Sequence, residues 1–266
     1  MLYLVATPIG HLSDITLRAL ETLRAADYIL CEDTRRSGIL LAHFGIKKPL
    51  KSYHQFNESK TESKILEDLK NGMTIALISD AGTPGISDPG HALVKGCQKE
   101  KIPYTLIPGP CSLINALILS GLGTDRFQFS GFLPKKASLL KDMLLQLLQF
   151  PGTSICFDSP KRIIKTLELL AMLEKNRTVA IVRELTKIHE ECQVGTVEEL
   201  LHHFKKHLPK GEMILLISGK EIFFDFSSLS SEEHVKKLQE EFQMTKQEAI
   251  KMVASLRGVS KKDIYF

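Results

Sequence analysis

Short apolar runs alternate with amphipathic stretches along most of this 266-residue chain. No other feature narrows its fold as far. "LYLVA" (Leu2–Ala6), "YILC" (Tyr28–Cys31), "MTIALIS" (Met73–Ser79) and "YTLIP" (Tyr104–Pro108) are short runs bounded by polar or Gly/Pro positions. Runs of that length read as buried strands. Between them, "DITLRALETLRAA" sets Ile15, Leu17, Ala19, Leu20 and Leu23 at helical spacing, with Ser13 or Asp14 as cap. "GILLAHF" reads as a short helix. "NESKTESKILEDLKNG" reads as a polar helix capped by Asn57 and stopped by Gly72. "HALVKGCQKE" and the largely buried "SLINALILSGL" complete the pattern. Alternating strands and helices give the fold class α/β, with a mostly parallel sheet covered by helices on both faces.

Near "GLGTDRFQFSGFLPKK" glycine and proline cluster and a second alternation begins. "SICFD", "TVAIVREL" and "EMILLIS" read as strands, "PKRIIKTLELLAML" and "VEELLHHFKKHL" as helices. A domain boundary is expected close to Asp125. Beyond Gly219, "KEIFFDFSSLSS" reads as a Ser-rich linker, followed by two helices with a turn between Phe242 and Thr245. Thr245 and Glu248 have the spacing of a capping box, and Ala249, Ile250, Val253 and Leu256 form one helical face. The expected division is therefore 1–124, 125–219 and 220–266.

"SDAGTPGISDPG" (Ser79–Gly90) follows a strand directly and can be neither strand nor helix interior. It lacks the spacing of a nucleotide phosphate loop and of a dinucleotide fingerprint. Taken alone it is equally a long surface turn. "ATPIGHL" (Ala6–Leu12) and "IPGPCSL" (Ile107–Leu113) repeat the same chemistry after two other strands. Three such loops on the carboxyl rim of one sheet suit a flat organic ligand held by backbone groups. Near this rim, "CEDTRRSG" brings Glu32, Asp33, Arg35 and Arg36 together. They read either as a charged helix start or as a substrate-facing cluster. "SYHQFNES" adds His54 and Asn57, and "RELTKIHEE" adds Arg183, Glu184 and Lys187. "HHFKKHLPK" (His202–Lys210) is a solvated helix face or, with Lys135, Lys136, Lys161 and Arg162, a phosphate-facing patch.

The net charge of +4 permits a polyanionic partner without demanding one. Five scattered cysteines, with no C-x-x-C pair, suit free thiols in a reducing compartment. No metal-ligand spacing occurs. No signal peptide or membrane-spanning run is read, so a cytoplasmic protein without membrane or metal is expected.

The wording of the loops is more specific than their chemistry. "TPIGHLSDITLRALETLRAADYILCEDTR", "ALISDAGTPGISDPG", "PGPCSLINAL", "GLGTDRFQFSGFLPKK", "RELTKIHEE", "PKGEMILLISG" and "TKQEAIKMVASLRGVSKKDIY" occur in this order. With them the chain resembles the ribosomal RNA small subunit methyltransferase I family of the tetrapyrrole (corrin/porphyrin) methylase superfamily. His11, "HQFNE", Asp158 and Cys111 depart locally from the family wording. The resemblance implies a two-domain α/β fold with S-adenosylmethionine in the cleft between domains, plus a small C-terminal helical domain. It implies a homodimer, and 2′-O-methylation of a cytidine in the decoding region of small-subunit (16S) rRNA. It places cofactor contacts at Pro8 and Gly10. It adds Asp80, Gly82, Thr83, Pro84, Gly85, Ile86, Ser87 and Asp88, then Ser112 and Leu113. The second half contributes Phe157–Asp158, Glu184, Leu185 and Thr186, and Gly211–Glu212.

A neutral ribose hydroxyl is a weak nucleophile, so a nearby carboxylate is expected to orient or deprotonate it. Asp33 and Asp80 are the catalytic candidates, with pinning of the glycine loop as the other reading of Asp80. Arg18, Glu32, Arg35, His54, Asn57, Lys135 and Lys136 are the substrate-side candidates. Two other functions share some of these features. A tetrapyrrole methylase would use the same fold and cofactor but lack "EDTR" and the helical C-terminal module. A non-enzymatic RNA-binding or ribosome assembly factor would need no cofactor cleft.

Overall fold

A computed structural model of the chain describes residues 1–219, 229–242 and 244–264. Most of the expected Ser-rich linker, 220–228, lies outside the described residues, as does residue 243 in the expected inter-helix turn. Residues 1–220 and 221–266 form separate compact units.

The first unit holds two five-stranded sheets. In the first, β1 (Leu2–Val5), β2 (Tyr28–Cys31), β3 (Leu50–Ser52), β4 (Ile75–Leu77) and β5 (Tyr104–Ile107) lie in the order β3-β2-β4-β1-β5. Every pairing is parallel. Successive side chains of a strand point to opposite faces, so both faces must be apolar. Leu2, Leu4, Tyr28, Leu30, Ile75 and Leu77 pack with Ile65, Leu69, Leu93 and Cys97 of α3 (Glu58–Lys70) and α4 (His91–Lys99). Val5, Ile29, Cys31 and Ala76 pack with Ala19, Leu23 and Leu41 of α1 (Leu17–Ala25) and α2 (Thr34–His43).

The second sheet is mixed. It contains β6 (Phe127–Phe132), β7 (Thr153–Asp158), β8 (Thr178–Arg183), β9 (Glu191–Thr196) and β10 (Met213–Ile217), in the order β6-β7-β10-β8-β9. Only β6–β7 is parallel; the other three pairings are antiparallel. The loop from β8 to β9 is too short to carry a crossover helix, so the two strands form a hairpin. One face packs on α6 (Ala137–Gln149), α7 (Ile163–Glu174) and α8 (Val197–Lys206) through Leu144, Leu167, Leu170, Leu200 and Phe204. The other packs on α5 (Ser112–Ser120), whose Leu113, Ala116 and Leu117 meet Ile155, Ala180, Val182, Ile214 and Leu216. Helix α5 thus leaves a strand of the first sheet and buries its apolar face on the second. That connection holds the carboxyl rim of the first sheet against the second.

In the C-terminal unit, α9 (Ser231–Phe242) and α10 (Lys246–Arg257) enclose Val235, Leu238, Ala249, Ile250, Val253 and Ile264. The capping box forms: Thr245 N–H donates to Glu248 Oε2 at 2.9 Å, and Glu248 N–H donates to Thr245 Oγ1 at 3.4 Å. Gly258 ends α10 in the left-handed region at φ 64°. His234 is fully buried on α9 and accepts from Arg257 Nε at 3.2 Å. Burial lowers its pKa below the usual 6.5, assisted by the charges of Arg257 and Lys237. The unfolded chain therefore binds that proton more readily than the folded unit. Stability of this unit is expected to fall as pH drops below 6.5 toward the lower folded value. Hydrogen-exchange protection of α9 and α10 amides should drop between pH 7.5 and 5.5, and His234→Gln should flatten that dependence.

Candidate functional site

The three Gly/Pro loops are stitched to one another on the rim of the first sheet. Thr7 and Gly82 exchange backbone hydrogen bonds of 2.9 and 3.0 Å. Thr7 Oγ1 donates to Ser79 C=O at 3.2 Å, and Thr83 Oγ1 donates to Pro110 C=O at 3.3 Å. Such close backbone approach explains the small residues. Gly82 has φ 83°, and a Cβ there would meet Ile9 Cγ2 at 3.3 Å. A Cβ on Gly109 would meet Ala6 Cβ at 3.0 Å. Gly90 N–H donates to Glu58 Oε1 at 2.9 Å, which ties the end of the glycine loop to α3.

The second sheet supplies the facing wall. Glu184 and Thr186, in the turn after β8, are held at φ 50° and 60°. Side chains other than glycine adopt this region at a cost, and such residues concentrate at functional sites. Glu184 Oε1 accepts from Glu212 N–H at 2.9 Å and from Lys187 Nζ at 3.0 Å. These bonds hold its carboxyl below the usual range, with the Glu212 backbone bond as the largest cause. Gly211, at φ 84°, has room for no side chain, because a Cβ would overlap Glu184. The two walls touch at Gly10: a Cβ there would lie 2.6 Å from Thr186 Oγ1, and His11 N–H donates to that oxygen at 3.0 Å.

Between the walls lies a cleft of about 270 Å³. Asp80, Gly82, Thr83, Ile86, Ser87, Asp88, Ser112, Leu113, Phe157, Glu184 and Leu185, all expected at a cofactor site, line it. Pro8, Gly10, Pro84, Gly85, Thr186 and Gly211 do not line it; Gly10, Thr186 and Gly211 build its walls from behind. Ile9, Arg36, Cys111, Phe132, Val182, Met213 and Ile214 also line the cleft. Of these only Arg36 and Cys111 stand out in sequence, as part of "EDTRR" and of the "PGPC" loop. Val182, Met213 and Ile214 read as ordinary buried strand residues.

The carboxylates differ sharply in environment. Asp33 is the N-cap of α2. Its oxygens accept from Arg35 N–H at 2.9 Å, Nε at 3.1 Å and Nη2 at 2.8 Å. The Arg35 hydrogen bonds hold its pKa at about 2. Asp33 does not line the cleft. Its lone pairs are committed to the helix start, and Arg35 is committed with it. Asp80 accepts from Asp33 N–H at 3.2 Å and from Arg36 Nη1 at 3.2 Å, so it ties the glycine loop to α2. Asp158 is buried and paired with Arg162 at 2.7 Å, and it accepts from Thr166 Oγ1 at 2.7 Å. Asp88 differs from all of these. Burial raises its pKa to about 6, and the charges of Glu32 and Asp80 add to the shift.

The substrate-side candidates scatter. Asn57 Oδ1 accepts from His54 N–H at 2.8 Å, and its Nδ2 donates to Ser52 C=O at 3.0 Å, so it shapes its own loop. Arg18, Lys135 and Lys136 are exposed. None of these, nor Glu32, Arg35 or His54, lines the cleft. The charge of Glu32 contributes to the raised pKa of Asp88.

The family profile of the Tetrapyrrole (Corrin/Porphyrin) Methylases matches residues 1–201. A "Ribosomal RNA small subunit methyltransferase I" of Halalkalibacterium halodurans is 44% identical over 99% of this chain and 93% of its own length. One of Escherichia coli O157:H7 is 42% identical, again over 99% and 93%. Among solved structures, a diphthine synthase superposes with TM-score 0.65 at 15% identity, covering 86% of this chain and 93% of its own. A uroporphyrin-III-C-methyltransferase from Thermus thermophilus does so with TM-score 0.56 at 20% identity, covering 82% and 93%. These likenesses show a shared fold.

Proposed function

Because the chain belongs to the tetrapyrrole (corrin/porphyrin) methylases, and within them to the ribosomal RNA small subunit methyltransferase I family, we propose that it methylates the ribose 2′-oxygen of a cytidine in the decoding region of small-subunit (16S) rRNA. The observation that supports this reading is the cleft, in which the half-buried carboxylate of Asp88, with its raised pKa, stands among apolar side chains and backbone-rich loops.

The donor set fits S-adenosylmethionine, which carries two cationic centres, one carboxylate and a flat purine. Asp80, Asp88, Asp158, Glu184 and Glu212 outnumber Arg36 among the charged side chains of the lining. Ile9, Leu113, Phe157, Leu185 and Ile214 offer apolar surface to the purine. The bound cofactor supplies a methyl group already activated on a sulfonium.

The chain's own residues do the rest by alignment and proton removal. Alignment of reacting groups is worth roughly 7–11 kcal/mol. Asp88 would accept the proton of the attacking hydroxyl and pass it to solvent. A base with pKa near 6 is deprotonated at neutral pH yet still basic enough to take that proton. Asp80 positions the glycine loop, and Arg36 offers its exposed guanidinium to a phosphate beside the reacting ribose.

The test is transfer of labelled methyl from S-adenosylmethionine to small ribosomal subunits from cells lacking the modification. Free rRNA and a tetrapyrrole precursor are the parallel acceptors. Label mapped to a cytidine ribose is the expected result; label in the tetrapyrrole alone overturns the substrate class.

The active species is a homodimer. Ile114, Ile118 and Leu119 expose apolar surface on α5, with Ile118 65% exposed. The edge strands contribute Leu106 of β5 and Val194 of β9. Ile118→Glu is expected to convert a dimer to a monomer in sedimentation; an unchanged sedimentation coefficient would remove this face from the interface.

A further inference from the structure

We infer that Phe132 is the stacking platform for the base of the target nucleotide, an aromatic subsite beside the methyl-transfer cleft. The inference rests on the reading that the substrate is RNA.

Phe132 ends β6, and its ring lines the cleft while remaining 64% exposed. An apolar ring of that size is normally buried when a neighbouring core is available. Here the core is available, since Phe129 and Phe157 pack with the cluster around α5. Phe132 instead stands at its edge. The centroid of its ring lies 5.1 Å from that of Phe157 at 57°, so Phe157 meets it obliquely and not face to face.

The backbone is built to aim this ring. Residues 129 and 132 are separated by an odd number, so in a regular strand they point to opposite faces. The register between β6 and β7 shifts between these two residues: Phe129 pairs with Ile155 and Phe132 pairs with Phe157. Gly131 sits in the shift at φ 69°. One extra residue in the strand re-aims everything after it. Both Phe129 and Phe132 therefore meet Phe157, the former at a centroid distance of 5.0 Å.

The mount is also rigid. Leu133 N–H donates to Phe157 C=O at 3.1 Å, and Leu133 C=O accepts from Arg162 Nη1 at 2.9 Å. Arg162 is anchored in turn by the buried carboxylate of Asp158. An exposed aromatic on a backbone anchored next to it, with its ring already against Phe157, is placed in advance for a second ring to stack on it. Sequence-specific proteins take single-stranded RNA bases by splaying them onto aromatic side chains, and an enzyme acting on one nucleotide must draw it from its neighbours. Phe132 supplies such a surface at the mouth of the cleft that holds Asp88.

The experiment compares wild type, Phe132→Leu and Phe132→Tyr as full chains. It uses labelled methyl transfer to small ribosomal subunits and calorimetric titration of S-adenosylmethionine. Leucine keeps apolar contact with Phe157 but has no π-face; tyrosine keeps both. Phe132→Leu is expected to lower kcat/KM for subunits about 5- to 150-fold, chiefly through KM. Phe132→Tyr should stay near wild type, and cofactor affinity should be unchanged in both. Equal kcat/KM for wild type and Phe132→Leu overturns the inference alone. Parallel loss of cofactor affinity in Phe132→Leu also overturns it, because the ring then serves the cofactor. Wild-type protein that binds cofactor but labels no RNA overturns the RNA reading and this inference together.

Discussion

Asp88→Asn is expected to slow methyl transfer by roughly 10²–10⁴-fold at pH 8, the range attributed to a positioned general base. The amide keeps the size of the carboxylate and removes only its basicity. Wild-type kcat should rise with pH through about 6, as the Asp88 carboxyl loses its proton, and level off above. The variant should lose that limb. Thermal stability should be equal or higher in the variant. A carboxyl whose folded pKa is raised weakens the folded state once pH rises through that value, and asparagine removes its repulsion from Glu32 and Asp80. Lower activity without lower stability separates a catalytic loss from a folding defect. S-adenosylmethionine affinity within a few-fold of wild type completes the signature. A large drop in that affinity would make Asp88 a cofactor contact, and an unchanged pH profile would remove it as the base.

Gly211→Ala is expected to abolish cofactor binding at ordinary concentrations while leaving the rest of the fold standing. Two penalties combine. Alanine at φ 84° carries a backbone cost of about 1–2 kcal/mol. Its Cβ would also overlap the Glu184 side chain. Glu184 must then leave the Glu212 N–H and Lys187, bonds to a charged group worth about 1.5–3 kcal/mol each. Since Glu184 lines the cleft, its wall moves with it. The control is Gly45→Ala, at φ 65° with nothing within 4 Å of the added carbon. It carries the backbone penalty without the overlap and should bind cofactor normally. Calorimetric titration of both variants measures the difference. Wild-type affinity in Gly211→Ala would mean that the Glu184–Glu212 contact does not shape the cofactor wall.

The sequence is most legible where burial is most complete. β1, β2 and β4 are inner strands with both faces covered, and their runs are continuously apolar. β3 ("LKS"), β6 ("FQFSGF") and β9 ("ECQVGT") are sheet edges and only partly buried, so serine, lysine and glutamate dilute their signal. The antiparallel pairing of the second sheet follows from the short β8–β9 connection, which reverses the chain, and a strand's apolar pattern does not record its direction. In the cleft, the loop residues were readable because backbone crowding demands glycine and proline, and those residues are conspicuous. Arg36 was read only as one member of a charged cluster, and Phe132 was not singled out. Which way their side chains point depends on the phase of α2 and on one extra residue in β6.

The sequence by itself determined the α/β class, the inner strands, the three rim loops and the family, because each follows from local residue chemistry and order. Only the tertiary structure decided how the aspartates differ in acidity. Asp33 and Asp88 are chemically identical residues near the same rim. A helix start and an arginine hold the pKa of one at about 2, and burial beside two other carboxylates raises that of the other to about 6. Electrostatic environment is a sum over neighbours brought close by folding, and the order of residues along the chain does not contain it.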